Sequence, residues 1–216
     1  MLQSILNTSK DIRTSKKELS LQILLVFILP IIFFQTGIIS VKYRIFVLVL
    51  IVTTLLIILF FEKWTPRMLG LTSLNLKKFV VPYGIFTLIG TLSIIRFGEI
   101  IGNQEITNWW THSHFLYLFF VVSFFQEIAY RGYLIPALGK LTNVPIFIIF
   151  ANIVLFTYLH VIFINPFIGL PLAFIGGAGF SYMYIRYPNL ILIIISHSIL
   201  NFFAVLYGFY SVPVLI

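Results

Sequence analysis

The sequence predicts an all-α protein, a polytopic membrane helical bundle with about seven transmembrane helices. Of its 216 residues, 60% are hydrophobic and only 9% are charged, and the mean hydropathy is +1.08. Ordinary soluble domains carry about 25% charged residues. Seven apolar runs are long enough to cross a hydrocarbon layer of about 30 Å as helices. We therefore expect residues 1–216 to form a single integral membrane domain.

The predicted helices follow one another closely, and the mostly short loops favour antiparallel neighbours. The predicted spans lie near 21–39, 45–61, 79–95, 115–136, 145–164, 167–185 and 189–210. Two connections are longer. Residues 62–78 mix aromatic, apolar and basic side chains, which is typical of an interfacial segment. Residues 96–114 contain Trp109 and Trp110, a pair that predicts an aromatic anchor at the opposite surface.

Small residues and prolines interrupt some of these spans. Pro30 and Pro171 fall inside predicted helices and are expected to kink them. The cluster Gly176-Gly177-Ala178-Gly179 is expected to let a neighbouring helix approach closely. We interpret this cluster as a packing feature rather than a catalytic one.

The distribution of lysine and arginine predicts the orientation. With the N-terminal segment 1–18 in the cytoplasm, ten Lys or Arg residues lie on the cytoplasmic side and three lie outside. Such an excess marks the cytoplasmic face of a membrane protein. No small-residue cleavage site follows the first apolar run, so we expect a retained anchor in a multi-pass cell-membrane protein.

Composition also excludes some functions. The chain has no cysteine, which excludes disulfides, a thiolate nucleophile and a cysteine-based zinc site. The net charge of +8 is spread over inter-helix loops and lacks a nucleic-acid-binding motif. We therefore expect the lipid bilayer, with its anionic headgroups, to be the partner of these charges, and no nucleic acid.

A few polar side chains lie inside the apolar spans. They are Gln126, Glu127 and Arg131 in span four, Asn152 and His160 in span five, and Ser196, His197 and Asn201 in span seven. A charge at mid-bilayer costs about 2.5–3.5 kcal/mol on insertion scales, so such residues usually face a bundle interior or a wet cavity. These residues are therefore the candidates for a functional site.

Their spacing groups them on shared helix faces. Glu127 and Arg131 are four residues apart, as are His197 and Asn201, so each pair occupies one face of its helix. Counting about 1.5 Å per residue places Glu127, His160 and His197 in the middle part of the membrane. We expect these faces to converge on one water-accessible pocket.

Several kinds of chemistry fit such a pocket. Two imidazoles and a carboxylate can activate water and stabilise an oxyanion, as peptide hydrolysis requires. Glu127, His160 and His197 could instead hold zinc with water as the fourth ligand, although no HExxH motif supports this. Ser123 and Ser196 are possible nucleophiles, but Ser196 points about 100° away from its neighbour His197 on a helix.

Other roles also remain open at this stage. Glu127 and Arg131 could form a buried ion pair that fixes helix packing, and His197 with Asn201 could be interhelical hydrogen-bonding groups. Ionisable residues inside spans also mark proton paths in transporters. The polar residues here form one cluster rather than a chain across the membrane, which disfavours transport.

Three motifs resemble the CPBP family of intramembrane glutamate endopeptidases, the CAAX protease and bacteriocin-processing or Abi family. The family signature is EExxxR on one helix, FxxxH on the next polar helix, and HxxxN or HxxxD on a late one. The chain has QEIAYR at 126–131, FTYLH at 156–160 and HSILN at 197–201. The resemblance covers about residues 79–206 and implies a CAAX-protease-like fold.

The resemblance implies a metal-independent peptidase without a cofactor. In the family, the first glutamate of EExxxR and the histidine of FxxxH activate the attacking water. His160 would accordingly be a base or a water-orienting residue, His197 and Asn201 would form the oxyanion hole, and Glu127 with Arg131 would be the supporting pair. By analogy the substrate would be a bacterial leader or signalling peptide that reaches the membrane, or a membrane protein.

Gln126 departs from the family pattern because it occupies the position of the first glutamate. A glutamine amide has no site that takes up a proton near neutral pH, so loss of the base predicts a rate lower by about 10² to 10⁴. Three interpretations remain: an engineered glutamate substitution, a natural non-catalytic relative, or Glu127 acting as the base. A non-catalytic protein of this fold would act in bacteriocin self-immunity or in regulating a membrane sensor.

Overall fold

The computed structural model describes residues 9–111, 113–162 and 166–209, without the side chains of residues 113–118 and 166, and this part of the chain is helical with no strand. Seven long helices follow one another along the chain. They are α1 (Lys16–Gln35), α2 (Arg44–Phe61), α3 (Leu76–Ile100), α4 (residues 113–141), α5 (Pro145–Leu159), α6 (Pro166–Arg186) and α7 (Leu190–Leu206). The all-helical fold predicted from the sequence is confirmed.

Among the described residues, five helices are long and apolar enough to cross a membrane. They are Lys16–Gln35, Val41–Phe61, Leu76–Ile100, Pro145–Ile162 and Phe167–Arg186. The helix α7 is apolar but shorter, with 17 residues. Together with α4, the seven helices occupy the seven positions predicted from the apolar runs. The protein is therefore a multi-pass membrane protein of helical architecture.

The helix α4 lies at the centre of the bundle. It consists of α-helical Ser113–Glu127, π-helical Ile128–Leu134 and α-helical Ile135–Leu141. Every residue from Glu127 to Gly139 is buried. The helix α7 packs against both α3 and α4, and α5 packs against α6. By contrast, α2 is peripheral and exposes large apolar side chains such as Phe46 and Phe60, as expected of a helix that faces lipid.

Both π-helical segments precede a proline. In α1 the segment Leu24–Ile28 precedes Pro30, and in α4 the segment Ile128–Leu134 precedes Pro136. Proline donates no backbone hydrogen bond and its ring crowds the carbonyl four residues earlier, so the wider π turn accommodates it. The irregularity predicted at Pro30 therefore takes the form of a π segment, whereas α6 remains α-helical through Pro171.

The two longer connections pack on the helix ends. The Trp64 ring lies 5.1 Å from the Tyr133 ring, and Leu69 is buried. The segment 62–78 thus covers the end of the bundle as well as being rich in interfacial residue types. At the other connection, the Trp109 ring contacts Phe202 of α7 at 5.0 Å, whereas Trp110 is exposed, as an anchor at the membrane surface would be.

Candidate active site

A buried carboxylate on α4 is the centre of the predicted site. Glu127 Oε1 accepts a hydrogen bond from Arg131 Nη1 at 3.1 Å and another from His197 Nδ1 at 2.5 Å. Glu127 and Arg131 are fully buried and His197 is 2% exposed. The i,i+4 spacing accounts for the pair within α4, whereas the contact with His197 joins α4 to α7. Arg131 and His197, two of the predicted site residues, therefore both donate hydrogen bonds to the same oxygen of Glu127.

The guanidinium of Arg131 is held by three helices. Its Nη2 donates to the Gly177 carbonyl on α6 at 3.2 Å. The guanidinium carbon lies 4.4 Å from the centre of the Phe156 ring on α5 and 5.4 Å from that of Phe180 on α6. Aromatic faces attract cations, and the attraction is stronger when water is excluded. Arg131 therefore fixes the position of the Glu127 carboxylate relative to the surrounding helices.

The two histidines of the predicted site both lie next to the ring of one residue, Phe156. The Phe156 ring is 4.9 Å from the His160 ring and 5.7 Å from the His197 ring. His160 and His197 are also close enough to interact electrostatically. Convergence of α4, α5 and α7, which the motif spacing predicted, is therefore seen in the structure.

The position of His160 on its helix differs from the expectation. We predicted a span over 145–164 with His160 well inside it, but α5 ends at Leu159 and His160 begins a 3-10 turn. Its Nδ1 donates to the carbonyl of Phe156 at 2.9 Å. A tightened last turn is a common way to satisfy the terminal carbonyls of a helix. His160 thus belongs to the end of α5 rather than to its middle.

A second hydrogen bond joins α4 and α7 one helical turn from the contact between Glu127 and His197. Asn201 Nδ2 donates to Ser123 Oγ at 2.8 Å, so Ser123–Asn201 and Glu127–His197 form two successive links between antiparallel helices. From the sequence, Ser123 was only a possible nucleophile, and its pairing with Asn201 was missed. The other serine, Ser196, accepts from Thr87 of α3, in agreement with its predicted rotation away from the site.

Asn152 has a structural role. Its Nδ2 donates to the Tyr130 carbonyl at 2.6 Å, and its Oδ1 accepts from Ser181 Oγ at 2.9 Å. Asn152 thereby satisfies a carbonyl of the π-helical segment and links α5 to α4 and α6. Buried polar groups are usually hydrogen-bonded. The hydrogen bonds of Asn152 hold three helices together.

Two buried oxygen atoms next to this network have no hydrogen-bond partner among the described residues. They are Gln126 Oε1 and Glu127 Oε2. Buried polar atoms without a partner are rare in folded proteins. Both atoms are acceptors, so a water molecule or a peptide N–H could donate to them. The position that departs from the family pattern is therefore one where a bound molecule could be held.

A metal site finds no support in the described part of the chain. No group of three His, Asp or Glu side chains there is arranged to hold a metal ion. The zinc arrangement of Glu127, His160 and His197 that the sequence allowed is therefore not formed. His197 instead uses its Nδ1 to contact the carboxylate.

The glycine cluster of α6 allows the close approach that the sequence predicted. A Cβ atom at Gly177 would lie 2.9 Å from Phe156 Cδ1, and one at Gly179 would lie 2.9 Å from Phe86 Cε2. The Phe156 ring that packs against Gly177 also covers the guanidinium of Arg131. Close packing at this cluster therefore positions the site.

We expect Gly177→Ala to destabilise the protein by about 1–3 kcal/mol, the usual effect of overpacking a close contact. The added methyl group must displace Phe156, whose ring is the nearest neighbour. Gly84→Ala is the matched control, since a Cβ there meets nothing within 4 Å. Equilibrium unfolding in detergent micelles measures both variants, and equal stability of the two would contradict this account.

A polar cluster of this kind, enclosed by apolar helices, defines a multi-pass membrane protein with a buried polar centre. Residues 108–203 match the family model described as "Rce1-like: Type II CAAX prenyl endopeptidase Rce1-like". The matched segment contains all three motifs, so the match supports the resemblance of this part of the chain to the CAAX protease (CPBP) family of intramembrane peptidases. No curated protein and no solved structure matches the chain.

Proposed function

We propose that this protein is a glutamate-type intramembrane endopeptidase that cleaves a membrane-proximal leader or signalling peptide. It acts in a bacterial cell membrane with its N-terminus in the cytoplasm. The observation that supports this best is the buried Glu127 carboxylate shared by Arg131 and His197. This carboxylate brings together residues from two of the three motifs, QEIAYR and HSILN.

The residues divide between the two requirements of peptide hydrolysis, an activated water and a stabilised oxyanion. In the family arrangement His160 orients the water, and His197 with Asn201 faces the oxyanion. Glu127 and Arg131 order the site. No metal or cofactor takes part. Gln126 leaves the base position without a basic atom, so the chain is expected to turn over slowly.

The same glutamine favours a second candidate, a non-catalytic membrane protein of this fold. Such a protein would act in bacteriocin self-immunity or would regulate a membrane sensor through contacts between transmembrane helices. A peptide could still be held at Gln126 Oε1 and Glu127 Oε2, the buried acceptors without a partner among the described residues. Binding without cleavage would follow directly from the missing base.

The two candidates are separated by His160→Ala, which we expect to lower cleavage of a liposome-anchored reporter peptide by at least about 10²-fold. The variant removes an imidazole that a catalytic site needs, while a binding role should survive. Tyr158→Phe is the control, because it changes the same end of α5 at a hydroxyl that donates to Gln35. If His160→Ala cleaves as fast as Tyr158→Phe, His160 has no catalytic role. If the reporter peptide is bound but cleaved by neither the wild type nor Tyr158→Phe, the second candidate replaces the first.

A further inference from the structure

We propose that Ser123 is a positioning residue for hydrolysis, which holds the amide of Asn201 where it can donate to the oxyanion. The proposal rests on the proposed peptidase function and deepens it. Ser123 lies outside the three motifs of the family resemblance, in the turn of α4 that precedes QEIAYR. The observation that carries the proposal is the hydrogen bond of 2.8 Å from Asn201 Nδ2 to Ser123 Oγ.

The amide of an asparagine stabilises an oxyanion only when its nitrogen faces the developing charge. The amide has an acceptor oxygen on one side and two N–H donors on the other. The torsion that turns it is broad, so the direction of the amide depends on its neighbours. Within the described ranges, Asn201 has no hydrogen bond other than the one to Ser123. Ser123 is therefore the group that fixes the direction of this amide.

The bond to Ser123 uses one N–H of Asn201 and leaves the other for a substrate. Both N–H groups lie on the same planar amide, so the direction of the second is set when the first is bonded. Donors that are oriented before the reaction stabilise an oxyanion best, because they need no rearrangement when the charge develops. Asn201 thereby keeps an oriented donor for the carbonyl oxygen of a peptide.

Asn152 provides a contrast within the same protein. It is fully buried, and both ends of its amide are bonded, Nδ2 to the Tyr130 carbonyl and Oδ1 to Ser181 Oγ. Asn201 is partly exposed, and its amide is bonded at the nitrogen end alone within the described part of the chain. An amide that is held on one side and open on the other is suited to a bound molecule.

The Ser123–Asn201 bond lies close to the buried carboxylate. Ser123 precedes Glu127 by four residues on α4, and Asn201 follows His197 by four residues on α7. The two links between these helices are therefore about 6 Å apart along the helix axes. Consecutive Cα atoms of a peptide are about 3.8 Å apart, so one peptide group has the length to lie between the two links. Ser123 thus holds Asn201 at a distance from Glu127 that suits a single scissile bond.

The surroundings of Ser123 favour positioning over nucleophilic attack. A nucleophilic serine needs a base that takes its proton. Ser123 Oγ instead accepts a hydrogen bond from an amide. Ser123 is fully buried on the α-helical part of α4, which ends at Glu127. A hydrogen bond is stronger in such a water-excluded interior than in water, so the short serine side chain is a firm support for the amide.

The test measures kcat and KM for cleavage of the liposome-anchored reporter peptide by the full chain. We expect Asn201→Ala to lower kcat by about 10²- to 10³-fold, the usual cost of removing an oxyanion donor, and Ser123→Ala to lower it by about 10- to 10²-fold. KM should change little, because the oxyanion exists only in the transition state. Ser198→Ala is the matched control and should leave kcat unchanged, because this buried serine of α7 donates to a carbonyl of its own helix.

Two further variants separate a positioning role from a packing role. Ser123→Ala combined with Asn201→Ala should be no slower than Asn201→Ala alone, because the effects of two residues that act through one contact are not additive. Ser123→Thr keeps the hydroxyl group and should retain most of the rate. A loss from Ser123→Ala that is equally large in the Asn201→Ala background, or a change confined to KM, would overturn the proposal.

Nitrogen NMR of the asparagine-labelled protein in detergent detects the hydrogen bond without any activity. One side-chain N–H of Asn201, assigned by its absence in Asn201→Asp, should exchange with solvent more slowly in the wild type and Ser198→Ala than in Ser123→Ala. Equal exchange in the wild type and Ser123→Ala would overturn the proposal alone. Slow exchange without cleavage by either the wild type or Gln126→Glu would overturn the proposed function, and with it the role of Ser123 in hydrolysis.

Discussion

Replacing Gln126 by glutamate is expected to raise the cleavage rate by about 10²- to 10⁴-fold, the usual contribution of a general base. Glutamine and glutamate have nearly the same shape, so the substitution adds a proton acceptor without changing the volume of the side chain. Gln126 Oε1 is already buried and has no partner among the described residues, so a carboxylate oxygen there could accept from water. Cleavage of a reporter peptide in liposomes measures the effect.

Two controls make the result specific. Gln104→Glu adds the same charge in an exposed loop and should not change the rate. Gln126→Glu combined with His160→Ala should lose most of the gain, because the water would no longer be oriented. An unchanged rate in Gln126→Glu, with the protein still folded, would show that position 126 does not face the reacting water. It would also remove support for an engineered glutamate substitution.

The largest effect on stability is expected for Arg131→Met, which should destabilise the protein by about 3–5 kcal/mol. The substitution leaves the buried charge of Glu127 without its cation, and burying an unpaired charge costs far more than burying a neutral side chain of similar size. The substitution also removes the hydrogen bond from Arg131 Nη2 to the Gly177 carbonyl. Equilibrium unfolding in mixed detergent micelles measures the loss.

Arg96→Met is the matched control for this variant. Arg96 also pairs with a glutamate on its own helix, but the two side chains are 75% and 48% exposed. Exposed ion pairs contribute about 0–1 kcal/mol, so the control should be nearly neutral. Adding Glu127→Gln to Arg131→Met should restore part of the lost stability. Equal stability of the two arginine variants would contradict a buried ion pair at the centre of the bundle.

The fold was largely predictable because composition constrains it directly. A chain that must satisfy its backbone hydrogen bonds inside lipid has few options, and apolar runs of sufficient length predict helices. The seven predicted positions agree with the seven helices to within a few residues at most ends, although α3 extends from Leu76 to Ile100 beyond the predicted 79–95. The end of α5 was harder to predict, because nothing in the sequence marks the 3-10 turn that begins at His160.

From the sequence, the site could be predicted only as polar residues grouped on helix faces, without the contacts between the helices. The spacing of four residues identified the Glu127–Arg131 pair, since a helix brings such positions together wherever it packs. It could not show that His197 contacts Glu127, that Ser123 pairs with Asn201, or that the Phe156 ring covers Arg131. Those contacts join different helices, and they depend on how each helix is rotated within the bundle.

The amino-acid sequence alone thus determined that this protein is a membrane-spanning helical bundle with its few polar side chains grouped on three helices. It did so because helical periodicity and hydrophobic length are local properties. Only the tertiary structure showed that Arg131 and His197 contact the same oxygen of Glu127. It also showed that His160 lies at the end of α5. The physical reason is that close packing of rings and glycines between helices, rather than any short stretch of sequence, sets those distances.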